Sequence, residues 1–224
     1  MIVITGASRG LGKKIFDTLK SKGMDCIGIA RTSNQDDIIQ CDISDFDSLK
    51  IVSNKIKKIC NNKIYALINV AGIASMNLAL TTPEKKTREI IETNLLGTIF
   101  TNQIFAPMLI RNKSGRIINF SSLSVRLGIK GESIYTASKA GVESFSRTFA
   151  RELSDFNITV NCIAPGPIKT DLIRGVSEDK INNIIKHQIF TKIFEADNVV
   201  EQVELLLSDN SKYLSGQVIS LGGS

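Results

Sequence analysis

The chain has no tryptophan and a single histidine, His187. One histidine cannot build a His-rich metal site, and any Ser-His-Asp triad would hang on that one position. His187 falls in a helix-like stretch and reads as surface or lid packing. The four cysteines, Cys26, Cys41, Cys60 and Cys162, form no C-x-x-C pair. Three of them lie in apolar strand-like runs, where free buried thiols are common, so neither a disulfide framework nor a metal cluster is expected. No apolar run reaches the length of a membrane span. The N-terminus lacks the layout of a signal peptide, since Met1-Ile-Val-Ile-Thr-Gly6 reads as a strand at once. A cytoplasmic protein with no membrane partner is the expectation. Charge is also unclustered. The net charge is +6, but Lys and Arg are spread along the chain. The densest short runs, Lys55-Ile-Lys-Lys58 and Pro83-Glu-Lys-Lys-Thr-Arg88, read as solvated helix faces. No nucleic-acid partner is expected, and the surplus charge is left to steer an anionic ligand.

What is present is an alternation of elements. The 224 residues, 42% hydrophobic and 22% charged, suffice for one sizeable α/β core. β-branched runs at 2–5, 25–30, 38–41, 64–70, 115–121, 158–164 and 217–221 read as strands. Amphipathic stretches at 11–22, 45–60, 82–111, 132–153, 177–188 and 196–207 read as helices. No linker, repeat or low-complexity tract divides them, so residues 1–224 read as a single domain. Strand–helix alternation predicts a doubly wound parallel sheet with helices on both faces. Only about ten residues separate the second strand from Asp42, too few for a full crossover helix, so that connection is expected to be a loop or a single turn.

Thr5-Gly-Ala-Ser-Arg-Gly-Leu-Gly12 joins the first strand to the first helix. Gly6 allows a sharp turn off the strand, Gly10 a close backbone approach to a pyrophosphate, and Gly12 close packing of the helix. Ser8, Arg9 and Leu11 belong to the same turn, and the helix behind it aims free N–H groups and its positive end at phosphates. The spacing G-x-x-x-G-x-G is neither a P-loop nor the G-x-G-x-x-G of two-domain dehydrogenases. Arg31 follows the second strand, where an acidic residue would otherwise bind a ribose. An arginine there attracts a 2′-phosphate, Thr32 and Ser33 add hydroxyls, and NADP(H) is expected over NAD(H).

Tyr135 and Lys139 stand four residues apart in Ser133-Ile-Tyr-Thr-Ala-Ser-Lys139, with Ser122 thirteen residues upstream. On a helix the pair shares a face. The ammonium favours the phenolate, so the tyrosine pKa is expected to fall below its usual value and the phenol to become a usable acid–base group. Asn94 lies inside the long helical stretch, a mediocre place for asparagine unless its side chain has a use.

Together these residues resemble the short-chain dehydrogenase/reductase family, most of all its 3-oxoacyl-[acyl-carrier-protein] reductase-like members. The motifs run in order along essentially the whole chain: Thr5–Gly12, Asp42-Ile43, Asn69-Val-Ala-Gly72, Asn94, Ser122, Tyr135 with Lys139, and Pro165-Gly166. The resemblance implies a Rossmann-like domain and reversible hydride transfer between a nicotinamide and a carbonyl or secondary alcohol. It implies that Asp42 and the Ile43 backbone hold the adenine, and that Asn69, Ala71 and Gly72 line the cofactor groove, Asn69 also stabilising the central sheet. Val70 stands where the family often has a second asparagine. Pro165, Gly166, Ile168 and Thr170 would meet the nicotinamide end, and residues 171–194 would form a substrate lid. Tyr135 would deliver the proton, Ser122 would hydrogen-bond the reacting oxygen, Lys139 would tune the phenol and bind ribose hydroxyls, and Asn94 would hold a water in a proton relay. The implied substrate is a small-molecule or acyl-thioester carbonyl, and the implied assembly is a homotetramer or homodimer through the helical stretches 82–111 and 132–153. An NADP-dependent alcohol or sugar dehydrogenase is the alternative enzyme. A nucleotide-sensing regulator on the same fold is the alternative that is no enzyme.

Overall fold

The structure, a computed structural model, describes residues 1–169 and 178–223. Seven strands form one sheet in the order β3-β2-β1-β4-β5-β6-β7. They are β1 (Ile2–Thr5), β2 (Cys26–Ala30), β3 (Ile38–Gln40), β4 (Ala66–Asn69), β5 (Gly115–Phe120), β6 (Ile158–Pro165) and β7 (Val218–Leu221). All neighbours pair in parallel. The helices are α1 (Gly10–Ser21), α2 (Phe46–Ile59), α3 (Glu84–Ile91), α4 (Gly97–Asn112), α5 (Ser124–Leu127), α6 (Ser133–Glu152), α7 (Glu178–Lys186) and α8 (Ala196–Leu207). The doubly wound architecture expected from the alternation is what is found.

The period-two pleat divides the core. Ile2, Ile4, Ala66, Ile68 and Ile118 point to one face and pack with Ile15, Phe16 and Leu19 of α1 and Val199, Val203 and Leu206 of α8. Val3, Leu67 and Ile117 point to the other face and pack with Leu49, Val52 and Ile56 of α2, Phe105 and Leu109 of α4, and Ala150 of α6. Both faces are covered, so the strands read as continuous apolar runs. The sheet reverses its winding between β1 and β4, and a crevice opens there beyond the carboxyl ends of the strands.

Residues 31–37 form a loop without a helix, as the short spacing requires. The expected helix at 82–111 is more interesting. It starts after Pro83 as α3, widens into a π-helical turn at Glu92–Leu96, and resumes as α4. π turns inside α-helices occur mostly at functional sites, and this one carries Asn94.

Asn69 has the expected place in the central sheet but not the expected place in the groove. It is buried at the end of β4, its Nδ2 donates to Asn119 Oδ1 at 2.8 Å, and its Oδ1 accepts from Thr101 Oγ1 at 2.9 Å. Asn119 continues the network to Ser146 Oγ on α6 at 2.8 Å. Asn69 ties β4 to β5 and α4, and does not line the groove. Inward-pointing amides can be buried here because they satisfy one another.

Candidate active site

A cleft of about 880 Å³ runs across the carboxyl ends of the central strands. At one end it is walled by the turn after β1. Gly6 adopts φ +73°, and Gly12 sits so close behind it that a Cβ there would fall 2.3 Å from the Gly6 carbonyl oxygen. The turn folds tightly on itself and presents the start of α1 to the cleft. The first turn of α1 has no acidic residue and no side-chain cap, so its N–H groups remain available to an anion. Ser8, Arg9, Gly10, Leu11 and Gly12 line this wall.

Arg31 and Thr32 line the cleft beyond β2, and Asp42 and Ile43 line it beyond β3. Neither Arg9 nor Arg31 has an ion-pair partner among the described residues. Asp42 Oδ1 accepts from the Ser44 backbone N–H at 2.9 Å and from its hydroxyl at 2.7 Å, which fixes the carboxylate at the rim. Val70, Ala71 and Gly72 follow β4 along the floor, and Pro165, Gly166 and Ile168 close the far side. Thr170 lies outside the described residues, as does the 171–177 part of the expected lid. The remainder of that segment holds α7, whose Ile181 and Ile184 face the cleft.

Ser122, Tyr135 and Lys139 meet at the closed end. Ser122 follows β5, and Tyr135 and Lys139 lie one turn apart on α6. Tyr135 and Lys139 are buried residues of the cleft wall. Ser122 hydrogen-bonds the Tyr135 phenol, and its Oγ also accepts the Ser124 backbone N–H at 3.2 Å. Its two serine neighbours are engaged elsewhere. Ser121 Oγ donates to Glu143 at 2.6 Å, and Ser124 Oγ accepts from Thr136 at 3.3 Å.

Lys139 Nζ donates to the Phe120 carbonyl at 2.8 Å and stands 5.9 Å from the Tyr135 ring centroid. The expected fall in the tyrosine pKa is not found. Burial pushes the phenol up to about 12, the Ser122 hydrogen bond opposes the rise, and the nearby Glu132 carboxylate adds to it. Burial also pushes Lys139 down to about 8. Desolvation disfavours both charged forms at once, and at this depth it outweighs the helical spacing.

Asn94 is fully buried behind this group and does not line the cleft. Its Oδ1 accepts the Ile73 N–H at 2.8 Å, and its Nδ2 donates to the Ile73 carbonyl at 2.9 Å and to Ser138 Oγ at 3.1 Å. The side chain thus pairs with the backbone of the segment that follows β4.

Glu132 joins this group without having been expected from the sequence. It lines the cleft just ahead of α6, three residues before Tyr135, and that spacing was the signal available.

A glycine turn on a helix N-terminus at the switch point of a parallel sheet is the arrangement of a nucleotide-binding α/β protein, and half-buried Ser122 stands with buried Tyr135 and Lys139 in the same cleft. The family model described as short chain dehydrogenase matches residues 1–181, and the chain belongs to that family, oxidoreductases that act on CH–OH and C=O groups with a nicotinamide cofactor. The 3-oxoacyl-[acyl-carrier-protein] reductase FabG of Escherichia coli (strain K12) is 32% identical over 232 residues, covering 99% of this chain and 95% of that protein. The protein of the same name from Staphylococcus epidermidis (strain ATCC 35984) is 31% identical over 238 residues, covering 99% and 96%. Among solved structures, the ligand-free aldohexose dehydrogenase AldT of Thermoplasma acidophilum aligns with a TM-score of 0.89 at 26% identity, covering 99% of this chain and 92% of that one. Among the described residues no helix is long and apolar enough to cross a membrane, and no acidic, histidine or cysteine cluster could hold a metal ion.

Proposed function

We propose that this protein is an NADP(H)-dependent oxidoreductase that reduces a carbonyl to a secondary alcohol, or runs the reverse. The observation that carries the reading is the convergence of Ser122, Tyr135 and Lys139 at the end of a cleft whose other end is a phosphate-ready glycine turn. The residues present fit the cofactor. Gly10 has nothing within 4 Å of where a Cβ would be, which leaves its backbone open to a pyrophosphate. The free first turn of α1 favours the same anion. Arg9 and Arg31 offer unpaired cations for a 2′-phosphate, and Asp42 with the Ile43 backbone offers an edge for the adenine. Ala71, Gly72, Pro165, Gly166 and Ile168 flank the rest, with Thr170 carried over from the family pattern.

When bound, the nicotinamide supplies or accepts the hydride. The protein supplies the proton and the electrostatics. Tyr135, held neutral by burial, donates its proton to the carbonyl oxygen of the substrate. Ser122 donates a hydrogen bond to the same oxygen and stabilises the charge that develops there. Lys139 sits one turn behind, close enough to favour the phenolate as it forms, and its remaining N–H groups can reach ribose hydroxyls. Asn94 fixes Ile73 and so the floor beside Gly72. The proton relay is carried over to Asn94 from the family pattern, and its Oδ1 is engaged with the Ile73 N–H.

The names of the relatives support a 3-oxoacyl thioester as substrate. The carboxylate of Glu132 at the substrate end favours a second reading, a hydroxylated carbonyl of the alcohol or sugar dehydrogenase kind. The half-buried Phe145–Phe149 stack on α6, centroids 5.0 Å apart, supports assembly of subunits through this helix as a homotetramer or homodimer. The test of the reading is consumption of NADPH and of NADH with a panel of ketones and 3-oxoacyl thioesters, run for the wild type and for Tyr135→Phe. NADPH should be preferred, and the variant should lose about 10²–10⁴ in kcat while still binding the cofactor. A tenfold preference for NADH, or near-normal turnover by the variant, would overturn it.

A further inference from the structure

Glu132 is an unusual occupant of its position. It stands at the N-cap of α6, where a side chain normally accepts from the first free N–H groups of the helix, yet it makes no capping hydrogen bond. It lines the cleft instead, beside Ser122 and Tyr135. Its side chain hydrogen-bonds Ser124, whose hydroxyl also accepts from Thr136. It forms no ion pair among the described residues. A carboxylate offers about four acceptor sites, so most of its capacity is left over after Ser124, at a residue that lines the cleft.

The surroundings make that capacity matter. Ile73, Met76, Leu123 and Ile129 give this end of the cleft apolar walls. Burial is the main cause of the raised pKa of Glu132, and its charge reaches the Tyr135 phenol. A partly desolvated carboxylate without a full set of partners is costly. A substrate that brings a donor relieves that cost, and one that brings an anion increases it.

We infer that Glu132 reads the substrate, accepting a hydrogen bond from a hydroxyl or ammonium group on the carbon next to the carbonyl that Tyr135 and Ser122 address. The substrate class is then an α-hydroxy or α-amino carbonyl compound, and 2-oxo acids are disfavoured. This rests on the oxidoreductase reading above and deepens it. A site built around a hydrogen bond to substrate discriminates strongly against the analogue that lacks the group.

Four small ketones differ only at that position: hydroxyacetone, aminoacetone, 2-butanone and pyruvate. Each is assayed with NADPH and NADH against the wild type, Glu132→Gln and Glu132→Ala, with an acetoacetyl thioester alongside. For the wild type, hydroxyacetone or aminoacetone should exceed 2-butanone at least tenfold in kcat/KM, mostly through KM, and pyruvate should be the poorest. Whichever of the first two leads identifies the donor. Glu132→Ala should collapse the ratio to 2-butanone. Glu132→Gln should keep the hydroxyl preference and lose the ammonium one, because an amide oxygen still accepts but carries no charge. Equal kcat/KM for the donor-bearing ketones and 2-butanone overturns the inference, and so does a ratio that survives Glu132→Ala. If the thioester is reduced while the small ketones show no such ratio, the role of Glu132 falls and the oxidoreductase reading stands. If neither cofactor is consumed with any carbonyl, both fall.

Discussion

Lys139 gives its ammonium hydrogen bond to the Phe120 carbonyl at 2.8 Å, while the ring it was expected to tune lies 5.9 Å away at the centroid. The lysine is held by the end of β5 and is buried with the phenol. Its pKa falls from 10.5 to about 8 because burial disfavours the cation.

That shift has a consequence for stability with a definite sign. The folded pKa lies below the unfolded one, so between about 8 and 10.5 the unfolded chain holds a proton that the native protein has released. This contribution is most favourable above pH 10.5 and is lost as pH falls toward 8. At neutral pH the buried cation costs about 3 kcal/mol. Lys139→Met removes this dependence. Urea unfolding at pH 7.5 and pH 10 should show the wild type gaining roughly 2–3 kcal/mol relative to the variant at the higher pH. A constant difference between the two proteins would contradict the assigned burial.

Gly12 carries the second prediction. A Cβ at this position would stand 2.3 Å from the Gly6 carbonyl oxygen and 2.8 Å from its carbonyl carbon, which are backbone atoms that no rotamer change can move. Gly12→Ala must push α1 away from the turn after β1. Cofactor affinity should fall by well over tenfold, with a loss of stability of about 1–3 kcal/mol typical of overpacking. Gly10→Ala is the control. Its Cβ meets nothing within 4 Å, so the free protein should lose only what φ +55° costs a non-glycine residue, while phosphate binding suffers directly. Isothermal titration with NADPH beside thermal unfolding separates the two.

Much of this was legible in the sequence because it is written in local pattern. The glycine turn, the strand–helix alternation and the pairing of Tyr135 with Lys139 follow from spacing along the chain. Balance between long-range terms was not legible. The phenol pKa depends on how deeply the cleft end is buried, which no helical spacing reports, and so a fall was expected where desolvation produces a rise. The family resemblance assigned Asn69 both to the central sheet and, with Ala71 and Gly72, to the groove. The pleat turns it inward, toward Asn119 and Thr101, which come from distant parts of the chain. Glu132 was missed for a different reason: it was taken as the first residue of the helical stretch 132–153, and its place in the cleft wall three residues before Tyr135 shows only in the fold.

Asn94 should show a mixed effect on fold and activity. Its side chain satisfies both the N–H and the carbonyl of Ile73, beside Gly72 on the cleft floor. Asn94→Ala leaves those groups without partners in a part-buried place, at about 1–3 kcal/mol for each. Asn94→Asp keeps an acceptor for the N–H but sets a carboxylate against the Ile73 carbonyl. Both variants should unfold earlier than the wild type, and kcat should fall more than stability alone explains because the floor shifts. A variant of native stability with unchanged kcat would show that the pairing with Ile73 carries no consequence for the site.

Arg31 is the residue on which the proposed preference for NADP(H) rests. It lies at the exposed rim of the cleft after β2 and has no ion-pair partner among the described residues, so its charge is available to a 2′-phosphate. Arg9, on the turn after β1, lines the same end. A charge-assisted bond from guanidinium to phosphate is worth about 1.5–3 kcal/mol, or roughly ten- to a hundredfold in affinity. Arg31→Ala should raise the KM for NADPH by about that factor and leave the KM for NADH nearly unchanged, since NADH lacks the phosphate. Arg31→Asp should go further, repelling the phosphate and accepting from the ribose hydroxyls, and reverse the preference. Added salt should weaken NADPH binding to the wild type more than to Arg31→Ala, because the rim is open to screening. Equal losses for the two cofactors in Arg31→Ala would mean that the arginine supports the loop and does not read the phosphate.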